Sequence, residues 1–190
     1  MNLIAKLISA VFNPLVISPF TFYILIFNDH NPNNYLLFFI AIFFSSILPF
    51  SSIVYFKKLG KISSLEAPIR EQRLELLVIS SVYNSIAFIL LKYFHASNIV
   101  QGLMFCYAIN TAITWLITRH WKISIHMIGI GGPFVALALS GYNHLFLMIL
   151  IIVLVYLSRI KLNAHNHYQL IAGTCLAVVL AYIELTYLFL

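Results

Sequence analysis

Long apolar stretches alternate with short polar segments along the whole chain. The apolar stretches cover roughly 3–28, 34–56, 74–94, 98–118, 124–141, 143–159 and 169–190. A helix needs about 20 mostly apolar residues to cross the hydrocarbon core of a bilayer. The pattern therefore predicts an all-α, polytopic transmembrane helix bundle with seven spans, or with six spans if one stretch is re-entrant.

The segments between the apolar stretches are too short to fold by themselves, which predicts one integral-membrane domain over residues 1–190. Pro14 and Pro19 interrupt the first apolar stretch, and proline removes an amide donor and kinks a helix. We expect a kinked but ordinary span there. The stretch is long and lacks a clear small-residue cleavage site, so we do not expect a cleaved signal peptide.

The composition agrees with a membrane location, since 62% of the 190 residues are hydrophobic, 8% are charged and the mean hydropathy is +0.98. Ordinary soluble domains do not have such values. The chain contains only five carboxylates. Hard divalent cations need several oxygen ligands, so a carboxylate-rich metal site is not expected. We predict no cofactor and no nucleic-acid partner.

The cations are distributed unevenly. If seven spans alternate in direction, ten of the eleven Lys and Arg residues lie on one membrane face and Lys92 lies on the other. The ten are Lys6, Lys57, Lys58, Lys61, Arg70, Arg73, Arg119, Lys122, Arg159 and Lys161. An excess of Lys and Arg marks a cytoplasmic face. The same face could instead bind an anionic substrate, or bind anionic lipid head groups without changing them.

Three polar clusters interrupt the apolar pattern, and the first is the loop over residues 57–73. Arg70 and Arg73 are three residues apart, so they share a face if a helix continues through them. Arginine presents a planar fork of donors that suits phosphate oxygens, and Lys61 is a further cation of this loop. Taken alone, the cluster could equally be a basic loop that only anchors the topology.

The second cluster, residues 119–132, lies at the mouth of the fifth apolar stretch. Ser124 and His126 fall where a helix N-terminus would direct free amides at an anion, and Lys122 adds a positive charge. The three glycines that follow allow close approach of a helix or a ligand. This cluster predicts an anion site.

The third cluster lies at the entry to the last apolar stretch. His165 and Gln169 are four residues apart, so on a helix they share a face. Gln169 can then accept a hydrogen bond from one ring nitrogen of His165, which fixes the tautomer and leaves the other nitrogen free to attack. Ser158 and Arg159 precede them. The alternative is a pair of polar residues at a helix start.

The order of the spans brings the clusters together. Two spans separate the first cluster from the second, and two more separate the second from the third. All three clusters therefore return to the same membrane face, where their cations, a serine and two histidines can converge. A charged group inside a bilayer is costly and is a functional-site candidate by default.

The third cluster resembles one motif of the type 2 phosphatidic acid phosphatase family, Ser-Arg-x5-His-x3-Asp. Ser158 and Arg159 match its first two positions, His165 matches the histidine, and Gln169 stands in place of the aspartate. The resemblance covers roughly residues 57–173 and leaves the first two apolar stretches unmatched.

The other two family motifs are matched in part. For the Pro-Ser-Gly-His motif the chain has Ser124 and His126, with Ile125 in place of the glycine. For the Lys-to-Arg-Pro motif, Arg70 or Arg73 stands for the arginine without a following proline, and Lys61 is the nearest cation that could replace the lysine.

The resemblance implies a membrane-embedded phosphatase that hydrolyses a lipid phosphate or diphosphate without a metal. His165 would attack the phosphorus and form a phosphohistidine, His126 would protonate the departing oxygen, and Gln169 would orient His165. The implied phosphate-binding residues are Arg159, Arg73, Arg70, Ser124, Lys122 and Lys61. The implied substrates are a prenyl diphosphate, phosphatidylglycerol phosphate, phosphatidic acid or a phosphorylated lipid A.

Three alternatives remain open from the sequence. A lipid phosphotransferase would use the same residues with an acceptor other than water. A catalytically silent lipid-binding protein would keep the cations without turnover. A haem protein would use His126 and His165 as axial ligands, since paired imidazoles on facing helices suit haem.

The sequence gives two opposite indications of sidedness. The resemblance implies a multi-pass protein of a bacterial inner membrane whose site faces the extracytoplasmic side, where relatives of this kind work. The excess of cations on the site face favours the cytoplasmic side. We expect the extracytoplasmic face, and the sequence does not predict an oligomeric state.

Overall fold

The computed structural model of the chain describes residues 2–142 and 144–190. In these ranges the chain forms helices and no β-strand, which confirms the predicted all-α class. The helices are α1 (Asn2–Val11), α2 (Pro14–Phe27), α3 (Asn34–Ile42), α4 (Leu48–Lys58), α5 (Leu74–Tyr93), α6 (Asn98–Thr118), α7 (Ile125–Leu139), α8 (Leu145–Lys161) and α9 (His167–Glu184). A π-helical turn, Phe43–Ile47, joins α3 to α4, a second one, Leu185–Phe189, extends α9, and a 3-10 turn, Glu71–Arg73, precedes α5.

Within the described ranges, four helices are long and apolar enough to cross a membrane. They are Asn34–Lys58, Glu71–Tyr93, Asn98–Thr118 and His167–Phe189, and α1 with α2 adds a fifth if that bent pair is one span. α7 has only 15 residues, which is about 22 Å of helix and less than a hydrocarbon core of about 30 Å. α8 has 17 residues, and the first residue of its predicted span, Asn143, lies outside the described ranges. The expected count of six or seven spans is therefore not confirmed.

The first apolar stretch divides at Pro14 into two helices that meet at 41°. Pro14 has no amide donor and disfavours helical backbone at the preceding Asn13, which is extended. The side chain of Asn13 accepts a hydrogen bond from the amide of Leu15 at 3.0 Å and so caps α2. Pro19 lies inside α2, which continues through it.

Glycine contacts hold α7 against its neighbours. A Cβ on Gly129 would overlap the ring of Pro14, so the α1–α2 bend rests directly on α7. A Cβ on Gly131 would lie 2.7 Å from the Cβ of Ala177 in α9. A Cβ on Gly173 would lie 2.9 Å from the carbonyl oxygen of Ser124. These close approaches place the N-termini of α7 and α9 side by side.

Contacts between loops show which helix ends lie together at each end of the bundle. At one end Arg73 donates to the carbonyl oxygen of Ile123 at 3.5 Å, and Lys122 donates to that of Ala164 at 2.9 Å. At the other end the amide side chain of Asn31 donates to the carbonyl oxygen of His95 at 3.1 Å. The apolar core between the two ends includes the fully buried side chains Phe22, Leu91, Leu103, Met104, Ile130 and Leu170. The three polar clusters are therefore in contact at one end of the bundle.

The adjacent glycines of α7 allow a matched test of this packing. We predict that Gly131→Ala destabilises the protein by about 1–3 kcal/mol, because its methyl group overlaps Ala177. Gly132→Ala gains the same helix propensity, but its methyl group meets Ala181 at an ordinary 3.9 Å. Thermal unfolding in detergent should show a lower midpoint for Gly131→Ala alone. Equal midpoints for the two variants would contradict this packing.

Candidate active site

A cavity of about 420 Å³ lies beside the α1–α2 bend, between α4, the start of α5 and the ends of α7 and α8. Its polar lining comes from all three clusters and from α1. Its polar and charged lining includes Ser9, Glu66, Arg73, His126, Arg159 and His165.

Arg159 is the most deeply buried cation of the cavity, with 2% of its surface exposed. Its Nη1 donates to Ser9 Oγ at 2.7 Å and to Glu66 Oε2 at 3.0 Å. No described residue accepts a hydrogen bond from its buried Nε. A buried charge needs paired and hydrogen-bonded surroundings, so the site retains donor capacity that an anion could use.

Arg73 is the second buried guanidinium, with 5% of its surface exposed. Its Nε donates to the carbonyl oxygen of Ala67 at 2.6 Å, and Nη1 reaches that of Ile123 at 3.5 Å. Ala67 adopts a left-handed backbone conformation with φ of 41°, which turns the loop so that this carbonyl faces Arg73. Arg73 is thereby fixed from two loops before any ligand binds.

His165 is held as the sequence predicts. Its Nδ1 lies 3.1 Å from Gln169 Oε1, and the same oxygen accepts the amide hydrogen of Asn166 at 3.2 Å. The side chain of Asn166 in turn accepts from the amide of Gln169 at 2.9 Å, which completes a capping box at the start of α9. Because Gln169 offers an oxygen, Nδ1 carries the proton and Nε2 keeps its lone pair.

The surroundings of His165 favour the neutral imidazole. Burial, together with the positive charges of Arg73 and Lys122, lowers the pKa of His165 to about 3, and the hydrogen bond to Gln169 offsets this only in part. Burial also lowers the pKa of Lys122, aided by the charges of Arg73 and Arg159. At neutral pH the ring of His165 is therefore uncharged and lies beside fixed cations.

His126 faces the same cavity from the first turn of α7. Its Nε2 lies 3.3 Å from Ser9 Oγ, the oxygen that also accepts from Arg159. Ser9 therefore joins the imidazole to the guanidinium through one hydroxyl group. This places a group able to carry a proton on the cavity wall that also bears His165.

Two further predicted residues support the site without lining the cavity. Ser124 is fully buried and caps α7, where its Oγ accepts from the amide of Met127 at 3.5 Å. Its own amide donates to the carbonyl oxygen of Gln169 at 3.3 Å. Lys122 is half-buried and directs Nζ to the carbonyl oxygen of Ala164, next to His165. Ser124 and Lys122 thus connect the second cluster to the third.

The structure separates the two candidate arginines of the first cluster. Arg70 forms an ion pair with Glu71 at 2.7 Å, and Lys61 pairs with Glu75 at 2.7 Å; neither cation lines the cavity. The 3-10 turn before α5 rotates Arg73 inward and leaves Arg70 outside. The expectation that Arg70 and Arg73 share a helix face was made for a continuous helix, which does not extend through these residues.

Sequence reasoning missed Ser9 and Glu66. Ser9 lies in a stretch that matches no motif, although Ala5 and Ser9, four residues apart, form the buried face of α1. Glu66 was visible only as one of few carboxylates near the cationic face. Their roles depend on contacts with Arg159 across 150 and 93 residues of sequence, for which neither local spacing nor periodicity gives a signal.

The arrangement offers groups that phosphoryl chemistry can use. Two buried guanidiniums can hold the oxygens of a phosphate, because arginine donors match its geometry and charge. A neutral imidazole nitrogen can attack phosphorus, and a second imidazole can transfer a proton. Within the described ranges no group of three or more His, Cys, Asp or Glu side chains lies close enough to hold a metal ion.

No protein-family model, no curated protein and no solved structure matches this chain. The family resemblance drawn from the three motifs thus stays a prediction.

The state of His165 can be measured directly. We predict that its ring stays neutral, with the proton on Nδ1, from neutral pH down to about pH 5, because its pKa of about 3 lies well below the usual value of about 6.5. Nitrogen NMR of labelled protein should show an imidazole signal that does not titrate in this range and that disappears in His165→Gln. Arg73→Gln should raise the pKa of His165, since it removes a nearby positive charge. A titration of the His165 signal centred near pH 6.5 would contradict this arrangement.

Proposed function

We propose that the protein is a membrane-embedded phosphatase of the type 2 phosphatidic acid phosphatase family, which hydrolyses a lipid phosphate or diphosphate through a phosphohistidine. The observation that carries the proposal is that Arg73, Arg159 and a neutral His165 meet on the wall of one cavity. Phosphoryl transfer to a histidine uses three kinds of group: an oriented imidazole, guanidiniums that bind the phosphate, and a second histidine that transfers a proton.

In the proposed reaction, Nε2 of His165 attacks the phosphorus in line and the bond between phosphorus and the lipid oxygen breaks. His126, in its protonated imidazolium form, gives one proton to that departing oxygen. Water then attacks the phosphorus, His126 takes the proton from water, and the P–N bond breaks to release phosphate and the neutral His165. Gln169 keeps Nδ1 protonated throughout, so that Nε2 remains the attacking atom.

Arg73 and Arg159 would bind the non-bridging oxygens and offset the charge that develops in the transition state. A phosphate oxygen at Arg159 Nη1 would replace the carboxylate of Glu66, whose side chain is 52% exposed and free to leave the cavity. Lys122 would add positive charge from beside His165. Arg70 and Lys61 would act at the membrane surface, on anionic head groups, because they lie outside the cavity.

The apolar part of the cavity supports a lipid substrate. Leu15 and Val16 of α2 line it together with Phe50 and Ile53 of α4, and Phe50 is 49% exposed. A prenyl or acyl tail could remain among these side chains and the surrounding lipid while the phosphate reaches the arginines. The phosphate would then be positioned without removal of the lipid from the membrane.

The topology that fits this proposal counts α1 with α2, α3 with α4, and each helix from α5 to α9 as seven spans. The polar loops of the site then lie together at one membrane face. We place that face on the extracytoplasmic side of a bacterial inner membrane, where the family resemblance puts it, and attribute the excess of cations to binding of the phosphate and of anionic head groups.

The first test is phosphate release by purified protein in detergent from a panel of lipid phosphates and diphosphates. We expect release that survives a chelator and that His165→Ala abolishes, because no other described nucleophile occupies its position. His120→Ala, at an exposed histidine, should retain activity. Release by His165→Ala would reject the phosphohistidine. No release from any lipid would favour a transferase or a silent lipid-binding protein, and haem absorbance would favour the bis-histidine alternative.

The two arginines of the first cluster give a second test. Arg73→Gln should lower kcat/KM by about 10² to 10³, the cost of removing one charged donor from a transition-state site. Arg70→Gln should leave kcat/KM within about threefold, because the Arg70 side chain pairs with Glu71 outside the cavity. Thermal unfolding of both variants checks that they fold. Equal losses in the two variants would contradict the assignment of Arg73.

A further inference from the structure

Glu184 is a carboxylate inside the bundle that the proposed reaction does not use. It ends α9 and is 8% exposed. Its Oε2 accepts a hydrogen bond from Nδ2 of Asn110 at 3.2 Å. Asn110 lies eight residues before Thr118, the last residue of α6. This is about 12 Å along the helix from the end of the bundle that bears the candidate active site. An ionisable group at such a depth is costly and is a functional-site candidate.

No described cation balances this carboxylate. The ion pairs of the described residues involve Glu66, Glu71 and Glu75, and none involves Glu184. An unpaired buried charge costs several kcal/mol. A positively charged ligand close to Asn110 and Glu184 would remove that cost.

A second cavity, of about 140 Å³, lies against Asn110. Asn84 of α5 and Asn110 of α6 both line it, and each is 5% exposed. The Oδ1 atom of each is buried and has no hydrogen-bond partner among the described residues. The Oδ1 assignment of Asn110 follows from its contact, since Nδ2 must face the carboxylate of Glu184. The side-chain oxygens of two residues that line the cavity therefore lack an electropositive partner.

Other polar residues that line this second cavity also offer oxygen atoms. The hydroxyl of Thr114 donates to the carbonyl oxygen of Asn110 at 2.6 Å, so its lone pairs are free, and Ser80 and Thr111 add hydroxyl groups. Amide oxygens, hydroxyls and a nearby carboxylate are the ligands that hard cations prefer. Glu184 contributes one negative charge here, so a cation with a single positive charge would balance it.

We propose that Asn84 and Asn110, backed by Glu184, form an intramembrane binding site for a small monovalent metal cation. The cation would accept lone pairs from the two Oδ1 atoms, while the amide of Asn110 links it to the carboxylate. Ser80, Leu15 and Ile125 line both this cavity and the candidate active site. The cation site thus lies directly beneath the phosphate site and ties α5, α6 and α9 together. It does not depend on the proposed phosphatase activity.

The test is thermal unfolding of the purified protein in detergent, in NaCl, KCl or choline chloride at equal ionic strength. We expect Na⁺ or K⁺ to raise the midpoint by about 3 °C over choline at a concentration about ten times the dissociation constant, because a ligand of the native state stabilises it. Equal midpoints in all three salts would overturn the proposal and indicate a protonated Glu184 beside a water-filled cavity.

Variants separate a bound cation from a general salt effect. Asn84→Leu should remove the difference between Na⁺ or K⁺ and choline, and should raise the midpoint in choline, because it removes an unsatisfied buried oxygen. Glu184→Gln should also remove the difference between salts. Thr118→Val, which deletes another unpartnered hydroxyl of α6 outside the cavity, should preserve it. Persistence of the salt difference in Asn84→Leu and Glu184→Gln would overturn the proposal.

Discussion

The buried guanidinium of Arg159 is the constraint on which the site depends. A charge with 2% exposure at the end of α8 needs hydrogen-bonded partners. Its partners are Ser9 from α1 and Glu66 from the loop before α5. The requirement to satisfy one side chain of α8 therefore fixes where α1 lies and how that loop folds over the cavity.

The same concentration of positive charge determines the chemistry of His165. Burial lowers its pKa, and Arg73 and Lys122 lower it further, so the ring is uncharged at physiological pH. An aspartate at position 169 would stabilise the protonated ring, whereas Gln169 orients the ring without adding charge. In the proposed reaction the cations would both bind the phosphate and keep the ring of His165 uncharged.

Close helix packing holds these groups in position. Gly131 and Gly173 bring α7 and α9 together, and Gly129 brings the α1–α2 bend onto α7. In lipid there is little hydrophobic force between helices, so small residues and interhelical hydrogen bonds provide association. Deeper in the bundle the side chain of Asn110 in α6 donates to Glu184 in α9, while the Oδ1 atoms of Asn84 and Asn110 have no partner among the described residues.

Four features could be predicted from the sequence: the all-α class, the approximate bounds of the apolar helices, the break near Pro14 and the pairing of His165 with Gln169. These follow from local physics: apolar length, proline chemistry and the i, i+4 helical period. Only the tertiary structure distinguished Arg73 from Arg70 and added Ser9 and Glu66. These features depend on contacts between residues far apart in the chain. A buried charge can be paired by any residue that the fold brings next to it, whatever the distance between the two in sequence.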